Sequence, residues 1–207
     1  MTQRTVDVWF DPMCPYTWII SRWLLEVQQV RPVAVRWHVL SLAVLNEDRE
    51  EDPEGDPDGF LWMPVRLCAA VARKYGQEAL GRLYTALGTR VHNQGEQRDD
   101  TFQNALSDAG LPRELAAVAD STEYDDAVRA SHAEGLGLVG DHVGSPVLAC
   151  TDEEGRRIAF FGPVLSTMPR GEQAARLWDG VLLVAGTPGF HELKGGPHEE
   201  PNLADLR

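Results

Sequence analysis

The sequence predicts an α/β fold of order β-α-β, helical insert, β-β-α, and three observations carry it. Apolar residues alternate with period two in short runs near both ends of the chain. Between residues 60 and about 138 only helical periods occur. Short breaks rich in proline, glycine and acids separate these stretches. The chain has 207 residues, the length of one sizeable domain or of one domain carrying an insertion.

Thr5-Val-Asp-Val-Trp-Phe10 reads as the first strand, with Val6, Val8 and Phe10 on one face and Thr5, Asp7 and Trp9 on the other. Asp11-Pro-Met-Cys-Pro15 breaks it, and a helix follows whose apolar stripe is Ile19, Ile20, Trp23, Leu24 and Val27. Pro32 ends that helix, and Val33–Val39 alternates again, parallel to the first strand because a helix crosses over between them. Residues 46–59 then read as a solvated loop of turn-formers and acids. In the insert, one stripe is Leu61, Val65, Cys68, Ala72 and Tyr75. A second, after an Asp100-Thr101 cap, is Phe102, Ala105, Leu106 and Ala109. Pro112 opens a short helix, and Ser121 caps another running to about Glu134. Pro146–Cys150 and Arg157–Phe161 form a hairpin across a polar turn. The last helix carries Ala174, Leu177, Trp178, Val181, Leu182 and Ala185 on one face. From Gly186 the chain reads as a tail with little structure of its own.

Composition narrows the function classes. Hydrophobic residues at 43% and charged residues at 25% are globular values. Apolar runs such as Val181–Ala185 are far short of a membrane span, and the N-terminal residues show no apolar export signal, so a cytoplasmic protein is expected. A formal charge of −13 argues against nucleic acid and anionic membranes as partners. Over half of it sits in residues 46–58, where eight acids face one arginine.

Cys14 is the strongest candidate for chemistry. It stands between a strand and a helix, where free N–H groups and the helix dipole favour thiolate over thiol. Pro15 occupies the first helical turn, and the Thr17 hydroxyl lies within one turn of the sulfur. The competing reading is a buried small hydrophobe. Cys68, on its helix stripe, and Cys150, at a strand end, read as structural, and an odd count of three cysteines argues against a disulfide framework. In Val143-Gly-Ser-Pro146-Val a proline opens a strand, which suits either an edge position or a cis bond that turns the preceding backbone toward a ligand.

Other patterns carry little. Gly135-Leu-Gly-Leu-Val-Gly140 matches G-x-G-x-x-G but follows a helix, so it reads as glycines ending that helix. Glu54, Asp56, Asp58 and Gly59 hold calcium-loop offsets, but the twelfth position is Val65. No zinc spacing, P-loop or nucleophile elbow occurs, and no metal is expected.

Trp9-Phe-Asp-Pro-Met-Cys-Pro-Tyr-Thr-Trp18 resembles the active-site motif of the DsbA-type branch of the thioredoxin superfamily. Arg90-Val-His-Asn-Gln-Gly95, Val143–Pro146, Phe160–Ser166 and Pro169–Asp179 are similar to the actinobacterial mycothiol-dependent reductase (nitroreductase-like) group. The resemblance implies a thioredoxin-like domain from residues 1–45 and 139–190, an acidic loop plus helical insertion over 46–138, and a tail over 191–207. It implies a cytosolic enzyme working with mycothiol or another low-molecular-weight thiol on a disulfide or small-molecule substrate, with a homodimer left open. Ser145, preceding a cis Pro146, would face Cys14. The insert would roof the site and place His92 and Asn93 near bound thiol, although His92 reads equally as a satisfied loop histidine. With Pro15, Tyr16 and Trp18, these residues make up the expected thiol-binding set around catalytic Cys14 and Thr17.

The dithiol members of that branch carry C-P-x-C, whereas this chain has Thr17 at the fourth position. Three readings follow. A monothiol oxidoreductase would use Cys14 to form mixed disulfides resolved by a second thiol. A thiol-dependent transferase or isomerase, as in the kappa-class glutathione transferases, would leave Cys14 unmodified. A non-catalytic module would keep the fold as a binding scaffold.

Overall fold

The computed structural model describes residues 3–49, 53–96, 98–140, 142–152, 154–204 and 206. Part of the acidic run, residues 50–52, and Glu153 in the hairpin turn lie outside them.

Four strands form one sheet in the order β2-β1-β3-β4: β1 Arg4–Phe10, β2 Val33–Val39, β3 Val147–Thr151 and β4 Arg157–Phe161. β1 runs parallel to β2, with Val8 opposite Trp37, and antiparallel to β3, with Val8 opposite Leu148. β3 and β4 pair as the expected antiparallel hairpin. A central strand is covered on both faces, so β1 buries both halves of its alternation. Val6, Val8 and Phe10 enter the main core beside helix α1 (Pro15–Val30). Trp9, on the other face, packs with Val147 and Ala149 under helix α5 (Asp125–Val139). Asp7 is buried there too; its carboxylate accepts from Arg36 and contacts the His38 ring, which holds it below the usual carboxylate range against the cost of burial.

Between β2 and β3 the described elements are all helical: α2 (Leu42–Asn46), α3 (Trp62–Gly88), a π-helical turn (Thr89–Asn93), α4 (Thr101–Asp108), two 3₁₀ segments (Arg113–Asp120 and Thr122–Tyr124), and α5. Helix α6 (Gly171–Ala185) returns against α1. The structure thus has the α/β order that the periodicities predict.

Several details differ from expectation for local reasons. The stripe in α3 stops before Tyr75, which is exposed, because Gly76 takes a left-handed φ of 82° and breaks the helix. Ser121 caps a single 3₁₀ turn, accepting from Glu123 N–H, and α5 continues past Glu134 to Val139. Of the three glycines in 135–140 only Gly140 ends the helix, at φ 91°. Gly135 lies within α5 where a Cβ would meet the Trp9 ring at 2.7 Å, so it sets how closely that helix sits on the sheet. The acidic stretch is not simply solvated: Glu47 forms a two-pronged ion pair with Arg129 of α5, and the Asp56 carboxylate accepts from Phe60 and Leu61 N–H. Nor is the tail without attachments, since Leu206 is only 3% exposed in the core.

Candidate active site

Cys14 is the N-cap of α1, and Pro15 fills the first helical position, where its missing N–H costs nothing. The Cys14 side chain is not open to solvent: the residue is 8% exposed, and its Sγ–H donates to the Ser145 carbonyl at 3.8 Å. Burial pushes the thiol above its ordinary pKa, and the negative charge of Asp11 adds to this. The Thr17 hydroxyl and the Thr17 and Tyr16 N–H groups face the sulfur and pull the other way, less strongly. The expectation of a thiolate-favouring helix start is therefore corrected. The donors are in place, but desolvation outweighs them, and the carbonyl opposite the sulfur holds a proton on it.

The Ser145–Pro146 peptide is cis, and Ser145 and Pro146 are both buried beside Cys14. Ser145 Oγ accepts from Asp11 N–H at 3.1 Å and lies 2.8 Å from Thr17 Oγ1. Asp11 N–H takes one of the two Ser145 lone pairs, and either hydroxyl of the Ser145–Thr17 pair can donate to the other; when Ser145 donates, the Thr17 proton is left for sulfur. In that arrangement a chain of donors runs Asp11 N–H, Ser145, Thr17, Cys14. Thr17 is fully buried, so it acts on the sulfur from behind and not on a ligand.

Trp18 is also fully buried. Its indole lies under the Arg22 guanidinium, 4.0 Å from the ring centroid, and stacks with His92 at 5.8 Å. Trp18 Nε1–H donates to Asn93 Oδ1, which turns the Asn93 amide nitrogen away from the indole. His92 and Asn93 both come from the π-helical turn after α3, a widened turn of a kind common at functional sites. His92 Nε2–H donates to the Pro12 carbonyl of the active-site loop at 2.8 Å, and burial lowers its pKa, so the ring is neutral. Tyr16 is half-buried, and its hydroxyl donates to the Glu199 carbonyl. Of the expected site residues, Ser145 and Thr17 meet the sulfur directly, whereas His92 reaches the cysteine loop through the Pro12 carbonyl and Asn93 through the Trp18 indole.

Sequence reasoning missed Asp11. Its carboxylate accepts from Met13 and Leu42 N–H, tying the cysteine loop to α2, and burial pushes its pKa up to about 7. The Asp-Pro pair after a strand was the available signal, because an aspartate there closes a turn onto the N–H two residues on. Cys68 and Cys150 are buried, unpaired and raised in pKa by burial, as structural thiols are. No cluster of three or more metal-binding side chains occurs among the described residues.

Residues 13–195 match the family described as mycothiol-dependent nitroreductase Rv2466c, Rv2466c-like. The chain belongs to that family. Its membership makes it a DsbA-like protein of the mycothiol reductase group, an enzyme of the thiol oxidoreductase kind. An uncharacterized protein of Mycobacterium tuberculosis, Rv2286c, is 31% identical over 195 residues, covering 92% of this chain and 81% of that one. Among solved structures, the probable DsbA oxidoreductase SCO1869 from Streptomyces coelicolor superposes with a TM-score of 0.55 at 17% identity, covering 93% of this chain and 100% of that one. The cytosolic disulfide reductase DsbM from Pseudomonas aeruginosa gives 0.52 at 19% identity, covering 86% and 99%. At these identities the structural likeness speaks for the fold. The Rv2466c-like match spans Cys14, the π-helical turn and the cis proline, and stops before residues 196–207.

Proposed function

We propose that this chain is a cytosolic monothiol thiol–disulfide oxidoreductase, with Cys14 as nucleophile and mycothiol or a similar small thiol as its partner. The observation that carries this reading is the cysteine at the N-cap of α1, facing a cis-proline loop, with the Thr17 hydroxyl where a second thiol would stand. Once deprotonated, Cys14 attacks one sulfur of a disulfide, forms a mixed disulfide and releases the other half as a thiolate, which takes up the proton. A second thiol then attacks the mixed disulfide on the sulfur that is not Cys14's, forms a new disulfide and restores the Cys14 thiolate. Thr17 and the N–H groups of the helix start supply hydrogen bonds to the sulfur as charge develops on it. Tyr16 and Asn93 suit the bound thiol because each presents a donor that amide carbonyls accept.

A second reading keeps Cys14 intact and uses the site for thiol-dependent transfer or isomerisation. Its support is the protonated Cys14 sulfur, held by the Ser145 carbonyl. Incubation with mycothiol disulfide followed by mass spectrometry separates the two. The oxidoreductase reading expects one adduct, on Cys14, and loss of thiol-coupled reduction in Cys14→Ser. An unmodified Cys14 together with full activity in Cys14→Ser would overturn it in favour of the second reading.

A further inference from the structure

The segment that the sequence presents as a featureless tail is fastened across the active site at several points. The Tyr16 hydroxyl donates to the Glu199 carbonyl at 3.1 Å, and the Tyr16 ring lies 6.1 Å from that of His198. Asn93 Nδ2 donates to the Leu203 carbonyl at 2.7 Å. Asn202 N–H donates to the Ser166 carbonyl, in the loop between β4 and α6. Leu203 packs against the main core, and Leu206 is buried in it. The segment therefore runs from the start of α1, two residues past Cys14, over the π-helical turn and down to the α6 side of the molecule.

Two features set this apart from ordinary tail packing. The contacts from the active-site side reach main-chain carbonyls, so they read an extended amide chain and not particular side chains. One donor is also prepared independently of the tail: Trp18 Nε1–H fixes Asn93 Oδ1, and this alone aims the Asn93 amide nitrogen outward. Every one of these tail residues lies beyond the 13–195 stretch that matches the family.

We propose that residues 198–204, with the buried Leu206 beyond them, are an intramolecular ligand of the active-site groove, a strap that keeps Cys14 covered until an amide-bearing substrate or thiol takes over the Tyr16 and Asn93 donors. The strap is released by competition: the incoming chain offers its own carbonyls to the same two donors, the segment lifts, and the sulfur gains solvent. The proposal rests on Cys14 being the reacting group, but its tests do not depend on disulfide exchange.

The full-length variant Leu203→Asp removes the apolar anchor of the strap, and iodoacetamide labelling followed residue by residue reads the result. Cys14 is expected to label at least tenfold faster than in the wild type while Cys68, fully buried in the core, stays unlabelled. Cys14 rates within twofold of each other would overturn the proposal. Labelling of Cys68 would mean that the variant has opened the whole fold. Hydrogen exchange on the unaltered protein then decides: the Asn202 amide is expected to exchange more slowly than in an unstructured chain, and exchange at the unstructured rate overturns the strap. Because alkylation and hydrogen exchange involve no disulfide, a chain that fails the mycothiol test can still pass these.

Discussion

At the scale of single residues, the chemistry of this site is a contest over one proton. Burial and the Ser145 carbonyl favour the Cys14 thiol; the Thr17 hydroxyl and two helix N–H groups favour the thiolate. Hydrogen bonds to charged groups contribute roughly 1.5–3 kcal/mol, so a single hydroxyl matters to this balance. Thr17→Ala is expected to slow alkylation of Cys14 at neutral pH about tenfold, the equivalent of roughly 1.4 kcal/mol, while Thr17→Ser keeps the wild-type rate. A pH series of iodoacetamide rates on the three proteins checks this, and equal rates for the alanine variant would remove Thr17 from the site's chemistry. Cys14 and Thr17 stood out from the residues themselves, because a cysteine between strand and helix has few local explanations; Ser145 facing that cysteine and the cis form of Pro146 came from the family resemblance, since a proline opening a strand suits an edge position equally. That the Cys14 thiol is buried and raised in pKa was not legible, since its sulfur meets a carbonyl, that of Ser145, far away in the chain. Asp11 escaped for a related reason. An aspartate before proline reads as a turn-former, and nothing local says that the turn is fully buried.

At the scale of elements, period-two patterns located the four strands to within a residue, because one-sided burial imposes them directly, and period-3.6 patterns found helices but not their ends: α3 runs on from Tyr75 to Gly88 and α5 from Glu134 to Val139. They failed where another force sets the backbone. Gly76 interrupts α3 inside a stripe, the π-helical turn 89–93 has no apolar period of its own, and the segment 198–204 meets the active site through main-chain carbonyls, which leave no side-chain signature. Glycines inside helices show the same limit. Gly88 and Gly180 look alike in sequence, yet a Cβ on Gly88 would stand 2.3 Å from the buried Trp18 ring, whereas one on Gly180 meets nothing within 4 Å. Gly180→Ala is therefore expected to gain up to about 1 kcal/mol from helix propensity alone. Gly88→Ala is expected to lose about 1–3 kcal/mol, because the overpacked indole cannot move without giving up Arg22, His92 and Asn93. Urea unfolding of the two variants measures this, and opposite signs are the expected result. Stabilisation by Gly88→Ala would mean that Trp18 is not fixed and that Asn93 is not aimed by it.

At the scale of the whole molecule, the same buried groups make stability depend on pH in opposing directions. Asp11 ionises near its ordinary value of 3.8 when unfolded but only at about 7 when folded. Between those values the folded state holds a proton that the unfolded state has lost, so this group's contribution to stability falls as pH rises from about 4 to about 7 and is level above. Three pH units correspond to on the order of 4 kcal/mol. His92 and His132 work the other way: burial lowers both below the ordinary 6.5, so their contribution is complete above that pH and is lost as pH falls below it. Asp7, held low by Arg36 and His38, adds stability that disappears only as pH falls below about 4. The wild-type profile mixes these trends and identifies none of them, whereas Asp11→Asn isolates one. Asparagine is neutral at every pH; its one amide oxygen serves only one of the Met13 and Leu42 N–H groups, which reach different carboxylate oxygens, and that loss is an offset that does not change with pH. The stability of Asp11→Asn relative to wild type is expected to rise by several kcal/mol between pH 4 and pH 8, with most of the rise below pH 7, in urea titrations at fixed ionic strength. A difference that stays flat across that range would mean that the Asp11 carboxyl is solvated, and with it the loop that carries Cys14. The covered, protonated cysteine on which the strap depends would then lose its footing.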